Sequence, residues 1–465
     1  MVEVMIGLET HVQLNTKTKI FCGCSIRDMP EKPNTRCCPI CLGMPGSKPV
    51  LNKAALEAGI KIALALDFEL LPEFFFSRKT YFYPDMAKNF QITQYEIPLA
   101  RNGKLETQDA EGNKKTINIE RIHLEEDPAK LHHVGGDVTT ATHVLVDYNR
   151  SGIPLCEIVT KPDFSSSKEV RTFLKRLSSI LEYLGVFVKG EMSMRTDVNV
   201  SLKGGERVEI KNISSFEDIG KAIEYEVKRQ ERMVKKGETV ERKTLMWDNA
   251  KRKTKEMRKK EFEDDYGYIF EPNLSRVQIG KDYVEEIRKT LPELPQQKFE
   301  KYIKGFGISN ELAASITSDL ALASFYEDVI KKVDPKLTAT WMIILKKTLF
   351  YNNLELDETK LDSDTFVKLL GAVESCMVSD RGGELILREI ILKPENLDSL
   401  LSKYCKVDSG DLEKIVMKVL KDENKAFEEL KSGNKKALSY LIGKVIAKTQ
   451  GRADAKEVAE ILNKK

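Results

Sequence analysis

Apolar and polar residues alternate from Gly7 to Leu14, so an extended strand turns Leu8, Thr10, Val12 and Leu14 to one side and Glu9, His11 and Gln13 to the other. A second alternation runs through Met192, Met194, Thr196, Val198, Val200 and Leu202, with Ser193, Arg195, Asp197, Asn199 and Ser201 between them. Lys203-Gly204-Gly205-Glu206 then turns the chain into Val208-Glu209-Ile210-Lys211, which predicts a β-hairpin with one polar face. From Lys168 to Tyr183 the period changes: Val170, Phe173, Leu174, Leu177 and Leu181 recur at helical spacing, and Ser165-Ser166-Ser167 offers an N-cap. Between Lys221 and Lys260 the crowding of Lys, Arg and Glu predicts an exposed helix followed by a charged hairpin.

Strand-like alternation punctuated by Gly and Pro continues to about Pro295, which predicts one large α+β domain over residues 1–294, a mixed cradle of sheet and helices. Leu291-Pro292-Glu293-Leu294-Pro295 breaks regular structure, and beyond it the pattern is helical, as in Ser309 to Val333 and Asp364 to Cys376. A hinge near Leu392-Lys393-Pro394 divides this part into an all-helical domain, 295–394, and a small helical tail domain, 395–465. A chain of 465 residues with 41% AVILMFWYC has the apolar content to build several such cores.

Net charge changes the picture little, since 75 Lys and Arg stand against 72 Asp and Glu; any basic surface has to be local. One candidate is near the end, where Lys435, Lys436, Lys444, Lys448 and Arg452 recur along a helical stretch whose other face carries Leu438, Leu441, Ile442 and Val445. Such a face follows a phosphate backbone. No segment has the order of a signal peptide, and none approaches the ~20 apolar residues needed to span a bilayer. The expectation is a cytoplasmic protein with no membrane partner.

The chemistry starts with cysteine. Four of the eight, Cys22, Cys24, Cys38 and Cys41, form C-x-C and C-P-x-C pairs with the spacing of a structural zinc knuckle over 22–41, with Cys37 as the alternative to Cys38. Cys156, Cys376 and Cys405 are scattered, so no disulfide framework is indicated, and burial as packing residues is expected for them. Neither Gly-x-x-x-x-Gly-Lys-Ser/Thr nor Gly-x-Gly-x-x-Gly occurs, which excludes the two commonest phosphate cradles. Side chains and a metal must then hold any nucleotide. Glu9 with His11, His123-Leu124-Glu125-Glu126-Asp127, Asp147-Tyr148-Asn149-Arg150, Glu157, and Arg195 with Asp197 and Asn199 supply oxygen ligands from separate strands, as Mg²⁺ requires. In Ser77-Arg78-Lys79-Thr80-Tyr81-Phe82-Tyr83-Pro84-Asp85, cations that suit phosphate stand beside Tyr81 and Tyr83, which suit a base or ribose.

In one order along residues 3 to 463, Ile6-Gly7-Leu8-Glu9-Thr10-His11-Val12-Gln13-Leu14, the knuckle from Pro33 to Gly46, Arg78 to Asp85, His123 to Asp127, Asp147 to Gly152, Glu157-Ile158-Val159 and Arg195 to Ser201 together resemble the GatB family. Its members are the B components of the tRNA-dependent amidotransferase GatCAB. The C-terminal part, with Gly443-Lys444 and Gly451-Arg452-Ala453, is similar to the tail which that family shares with YqeY proteins. The resemblance implies a ligase component that uses ATP to phosphorylate the side-chain carboxylate of Glu-tRNA(Gln), Asp-tRNA(Asn) or both. Ammonia from a glutaminase (amidase) partner, the A component, then displaces the phosphate, and a small C component completes the heterotrimer. It implies Mg²⁺ and ATP at Glu9, His11, Glu125, Glu126 and Glu157, and catalysis by Lys79, Arg195, Asp197 and Asn199. It also implies tRNA contacts at Tyr81, Tyr83 and the five tail cations, and structural zinc at the four cysteines. Three places depart from the family pattern: Pro128-Ala129-Lys130, Ser214, and Asp265 to Asn273, where Gly267 and Asn273 replace the usual Arg and Asp. A related archaeal type carries an inserted domain for which Phe270 to Leu294 leaves no room. The competing reading is a zinc-containing tRNA-binding or assembly protein without chemistry of its own.

Overall fold

The computed structural model describes residues 3–27, 32–136, 140–190, 192–213, 215–256, 266–393, 396–431 and 434–464. Ser214, Lys260, Asp265, Pro394 and Lys465, which figure in the sequence expectations, lie outside the described residues, as does the side chain of Lys435. The chain divides into two compact units, Met1–Leu294 and Pro295–Lys465. The architecture is α+β: sheets and a few helices occupy the first unit, and the described part of the second is helical.

In the first unit the strands are β1 (Val4–Gln13), β2 (Glu69–Leu70), β3 (Glu73–Phe74), β4 (Ser77–Thr80), β5 (Phe90–Thr93), β6 (Ala100–Gln108), β7 (Lys114–Glu126) and β8 (Lys130–Val134). They continue with β9 (His143–Asp147), β10 (Pro154–Thr160), β11 (Met194–Leu202), β12 (Val208–Lys211), β13 (Lys243–Asp248), β14 (Lys253–Glu256), β15 (Gly267–Phe270) and β16 (Val277–Gln278). The helices are α1 (Lys53–Ala65), α2 (Ser167–Tyr183), α3 (Phe216–Lys235) and α4 (Lys281–Lys289). Nine strands form one sheet in the order β14-β13-β12-β11-β1-β10-β7-β6-β2, and β15-β4-β5 form a smaller one. Among the described strands only β12 and β13 pair in parallel, and α3 is the crossover helix which that pairing demands.

Period-two alternation decides which face of the large sheet is core. Ile6, Leu8 and Val12 of β1, Cys156 and Ile158 of β10, Ile122 and Leu124 of β7, and Val198 and Val200 of β11 all enter one buried cluster. Val170, Phe173, Leu174, Leu177 and Leu181 close it from α2, whose N-cap is Ser166, accepting from Glu169 N–H. Burying each of these large side chains contributes roughly 1.5–3 kcal/mol. The opposite face of the four central strands is left polar. The smaller sheet is tied to the end of β7 because Glu126 accepts from Ile92 N–H of β5 at 2.8 Å and the Gln91 amide donates to the Glu126 carbonyl at 2.8 Å.

The hairpin over 194–211, the helix within 168–183 and the charged hairpin of β13 and β14 stand where their patterns place them. In the second unit, residues such as Leu412, Val416, Leu441, Val445 and Val458 make a buried cluster separate from that of the sheet. The scattered cysteines divide. Cys156 is buried as expected, but Cys376 and Cys405 are exposed. The correction follows from local backbone: Cys376 has φ 57° just past the helix Ser363–Glu374, the left-handed exit position, and Cys405 pairs only through an isolated bridge with Val378.

One tight contact in the sheet gives a stability prediction. A Cβ on Gly103 of β6 would stand 2.5 Å from two atoms of the Phe68 ring. Gly103→Ala should therefore cost about 1–3 kcal/mol by overpacking, read from the urea midpoint. An unchanged midpoint would show that the Phe68 ring yields freely.

Candidate functional site

The antiparallel register brings the polar residues of the four central strands into rows. Arg195 of β11 pairs with His11 of β1, His11 with Glu157 of β10, and Glu157 with His123 of β7. One step along, Asp197 pairs with Glu9, and in the other direction Glu125 of β7 pairs with Leu155. His11 Nε2 lies 3.5 Å from a Glu157 oxygen and 3.6 Å from a Glu125 oxygen. His123 Nε2 is 3.0 Å from the same Glu157 oxygen and 3.8 Å from Glu125. These groups floor a cleft of about 1060 Å³ whose lining also includes Lys79, Tyr81, Tyr95, Arg121, Lys211 and Tyr268.

Two carboxylates packed against two imidazoles under a buried floor polarise one another. Burial opposes charge on His11, but Glu157 first and then Glu125 and Asp197 outweigh it and raise its pKa to about 10. Burial likewise opposes the charged form of Glu157, yet His123 and His11 hold its carboxyl well below the usual range. Glu9 goes the other way: burial, then Glu157 and Glu209, push it up against the pull of Lys211. Glu157 is thus balanced by the imidazoles of His11 and His123, and His11 has to give up its proton before its nitrogen can meet a cation. One donor atom each from His11, Glu125 and Glu157 lie within 4.8 Å of one another, close enough to share a cation.

Most of the residues expected in the site meet here. Glu9, His11, Lys79, Tyr81, Tyr83, Glu125, Glu157, Arg195 and Asp197 line the same cleft. The Asn199 amide donates to Glu9 at 2.9 Å, and Lys211 Nζ binds Asp197 at 3.0 Å and Glu209 at 2.7 Å. Lys79 Nζ stands 4.7 Å from the Tyr266 ring centre, and Arg195 reaches Asp127 at 3.5 Å. Glu126 is the exception. It follows Glu125 on a strand, so it faces the other side, where Lys88 Nζ holds it at 2.6 Å and β5 occupies its second oxygen. Its work is to hold the small sheet.

Three residues of the cleft lining carry no individual role in the sequence expectations: His123, Asp127, which is named there only within its acidic run, and Lys211. Asp127 accepts two hydrogen bonds from Arg150, each 2.6 Å, and so steadies the anion against which Arg195 leans. A signal for them existed. His123 and Glu125 share one parity on β7, as Asp197 and Asn199 do on β11, and the parity of Glu125 picks out His123, with Asp127 just past the end of the strand.

Residues 4–285 match the GatB/GatE catalytic domain family, and residues 324–465 match the GatB domain family. The chain is 43% identical to the B subunit of the Aspartyl/glutamyl-tRNA(Asn/Gln) amidotransferase of Methanospirillum hungatei JF-1, covering 100% of this chain and 99% of that protein. It is 41% identical to the protein of that name from Methanoregula boonei, over 99% of this chain and 97% of the relative. It is 40% identical to that from Carboxydothermus hydrogenoformans, over 100% and 98%. The chain belongs to the GatB family.

Within this GatB-family chain the second cluster of ligands is the cysteine quartet. One sulfur each from Cys22, Cys24, Cys38 and Cys41 lie within 4.8 Å of one another, and Cys37 is outside the set, its sulfur 3.9 Å from Asn149 Oδ1. The turn after Pro39 makes the knuckle: Leu42 N–H donates to Cys38 C=O, Met44 N–H to Pro39 C=O, and Cys38 N–H to Cys41 Sγ at 3.1 Å. Contact with the Cys22 thiol, then the Cys38 N–H and Lys19, lower the Cys41 pKa to about 4 against the effect of burial. Burial and Cys38 push Cys24 up to about 11. One anionic sulfur facing thiols is a ligand set prepared for a thiophilic cation.

Of the described positions that depart from the family pattern, Pro128 lines the cleft, while Gly267 and Asn273 belong to the small sheet and the turn after it. Gly267 pairs with Thr80 at the edge of the small sheet, and Asn273 N–H is held by Glu271, itself bound to Arg78. In the tail, Lys444 pairs with Glu423 at 2.8 Å, Lys448 with Asp422 at 2.6 Å, and Arg452 donates to Thr449 C=O at 3.3 Å; Lys436 is exposed. Two of the five cations expected to face a nucleic acid are thus already paired with carboxylates.

The quartet makes a direct prediction. Metal analysis of the purified chain should find one equivalent bound, lost in Cys38→Ser and in Cys41→Ser and retained in Cys37→Ser. Retention of the metal by Cys41→Ser would contradict the assignment.

Proposed function

We propose that this chain is the carboxylate-activating component of a tRNA-dependent amidotransferase. Its substrates are Glu-tRNA(Gln), Asp-tRNA(Asn) or both: ATP phosphorylates the side-chain carboxylate, and ammonia displaces the phosphate to leave the amide. The observation that carries this reading is the convergence of His11, Glu125 and Glu157 on a cleft floor opposite Lys79, in a chain whose relatives are named for amidation of these two tRNAs. His11, Glu125 and Glu157 would hold Mg²⁺, with Glu9 behind them. Two carboxylate oxygens suit that ion, and the imidazole is its less usual donor. Bound there, the ion supplies positive charge to the nucleotide's phosphates.

The chain's own residues do the rest of the work by position and charge, the dominant effects in phosphoryl transfer. A carboxylate is a poor electrophile, and its acyl phosphate is a good one. Lys79 from the small sheet and Arg195 from the large one bring cations to oxygens that gain charge in that step. Asp127 keeps Arg195 aimed while Arg150 neutralises the excess negative charge, and Lys211 does the same for Asp197. Asn199 orients Glu9. Tyr81 and Tyr83 offer faces for a base or ribose of the tRNA end; burial, then Asp85 and Glu125, push the Tyr81 pKa up, so its hydroxyl stays a donor. The tail cations Lys435, Lys436, Lys444, Lys448 and Arg452 would meet the tRNA backbone. In this reading zinc occupies the four cysteines as a closed structural site.

Ammonia has no source in this reading within the chain, so a glutaminase of the amidase type and a small third protein are its partners in a heterotrimer, in the cytoplasm. Among the described residues no helix is long and apolar enough to cross a membrane.

Two measurements test the reading. The assembled complex, given Glu-tRNA(Gln), ATP and Mg²⁺ but no ammonia donor, should form ADP that depends on the charged tRNA. Absence of ADP where the full reaction runs would reduce the chain to a binding module. Glu157→Gln should lower that ADP formation roughly 10²–10³-fold, the scale of losing one electrostatic element of a transition-state site. Its zinc content should be unchanged, since the residue contacts His11 and His123 and no cysteine of the quartet.

A further inference from the structure

Lys19 is a long cationic side chain with no exposure to solvent at all. Its ammonium donates to the Arg36 carbonyl at 2.9 Å and the Tyr148 carbonyl at 3.2 Å, and it stands 3.6 Å from Cys41 Sγ. Among the described residues no carboxylate lies within ion-pair distance of it. A buried charge without a counterion is among the costliest arrangements a fold can keep, so the partner has to be found nearby. Among those residues the sulfur of Cys41 is the group in reach that becomes anionic when it holds a metal.

We infer that Lys19 is the built-in counter-charge of the cysteine metal centre, lowering its net charge and pinning the knuckle to the segment that precedes Arg150. The inference rests on the reading of that centre as zinc. Four thiolates around Zn²⁺ carry a net charge of −2, which burial penalises; one ammonium in contact halves it. Gly152, in the left-handed region at φ +86°, packs beside both: a Cβ there would be in ordinary van der Waals contact with Lys19 Cδ at 3.4 Å and Cys41 Cβ at 3.7 Å. Ile20 N–H donates to the Gly152 carbonyl, so the strand of chain that carries Lys19 is itself tied to the same turn.

The contacts run onward. Asn149 Oδ1 accepts from Arg36 N–H at 2.7 Å, Asp147 Oδ1 accepts from Asn34 N–H at 2.9 Å, and Tyr148 N–H donates to Asn34 at 2.7 Å. Residues 147–149 are therefore stitched to the metal loop, and the next residue, Arg150, grips Asp127 beside Arg195. Lys19 is a positioning residue in this scheme. It touches no substrate, and its effect reaches the cleft through the turn.

The test uses the full-length chain in its complex. Wild type is first assayed for zinc, then zinc release to an excess of a chromogenic chelator is timed in wild type, Lys19→Met and Lys19→Gln. Glutamine retains a polar donor without the charge. Both variants should release zinc roughly 10- to 100-fold faster, as loss of a metal centre's outer partner does. Release at the wild-type rate from either folded variant overturns the inference, while wild type without stoichiometric zinc overturns the zinc reading first. Should both variants fail to fold, reductive methylation of wild type decides. Lys19 is expected to be protected while zinc is bound and modified after chelation, and equal modification in both states overturns the inference.

Discussion

Two glutamates and two histidines share one water-poor patch because four strands, each alternating polar and apolar, are paired in a register that lines up their polar sides. Glu157 has His11 at 3.5 Å and His123 at 3.0 Å, and a unit-charge pair at such separations is worth about 5 kcal/mol at an effective dielectric near 20. That attraction offsets the cost of burying the carboxylate and explains why the group stays ionised. A shift of one residue in the pairing of β1 or β10 would turn these side chains into the apolar core and destroy the arrangement. The core beneath, with Leu8, Ile158, Val198 and the apolar stripe of α2, is thus what fixes the electrostatics above it.

Around this patch further charged pairs hold the residues that line the cleft in place. Arg150 and Arg195 share Asp127, Lys211 bridges Asp197 and Glu209, and Lys88 ties Glu126 to the small sheet. The carboxylates Asp127 and Glu126 are buried, so removing their cations would leave a charge without solvent or partner. The cleft therefore behaves as a connected network more than as a set of separate ligands. Its aromatic wall, where Tyr95 stacks on Tyr268 with ring centres 3.8 Å apart, comes from the small sheet and its neighbouring loops.

Legibility from sequence followed the strength of local pattern. The alternation of Leu8 to Leu14 and of Met194 to Leu202 announces both strands and the parity of Glu9, His11, Asp197 and Asn199. The Ser165-Ser166-Ser167 run announces α2, and the cysteine spacing announces the knuckle. The His-Leu-Glu-Glu-Asp run shows where spacing falls short: a strand separates neighbours that a charge cluster groups together, so Glu126 reads as a ligand and His123 as unassigned. Which strands neighbour one another is also hidden, since β1 lies between β10 and β11, more than 140 residues on. The exposure of Cys376 depends on a left-handed backbone that its sequence context does not announce.

The pairing of tail cations belongs to the same class of hidden facts. Lys444 and Lys448 look like a basic stripe along the chain, and only the packing of the helix Lys435–Lys448 against Ser409–Asp422 and its adjoining residue reveals Glu423 and Asp422 as their partners. The central claim concerns the floor of the cleft, where one divalent ion is to be shared by an imidazole, two carboxylates and a nucleotide. Pulsed electron paramagnetic resonance of Mn²⁺ bound with ATP to the complex addresses it directly. The account predicts coupling to one histidine nitrogen, abolished in His11→Ala, together with coupling to phosphate phosphorus; Mn²⁺ showing phosphorus coupling with no nitrogen coupling would contradict it.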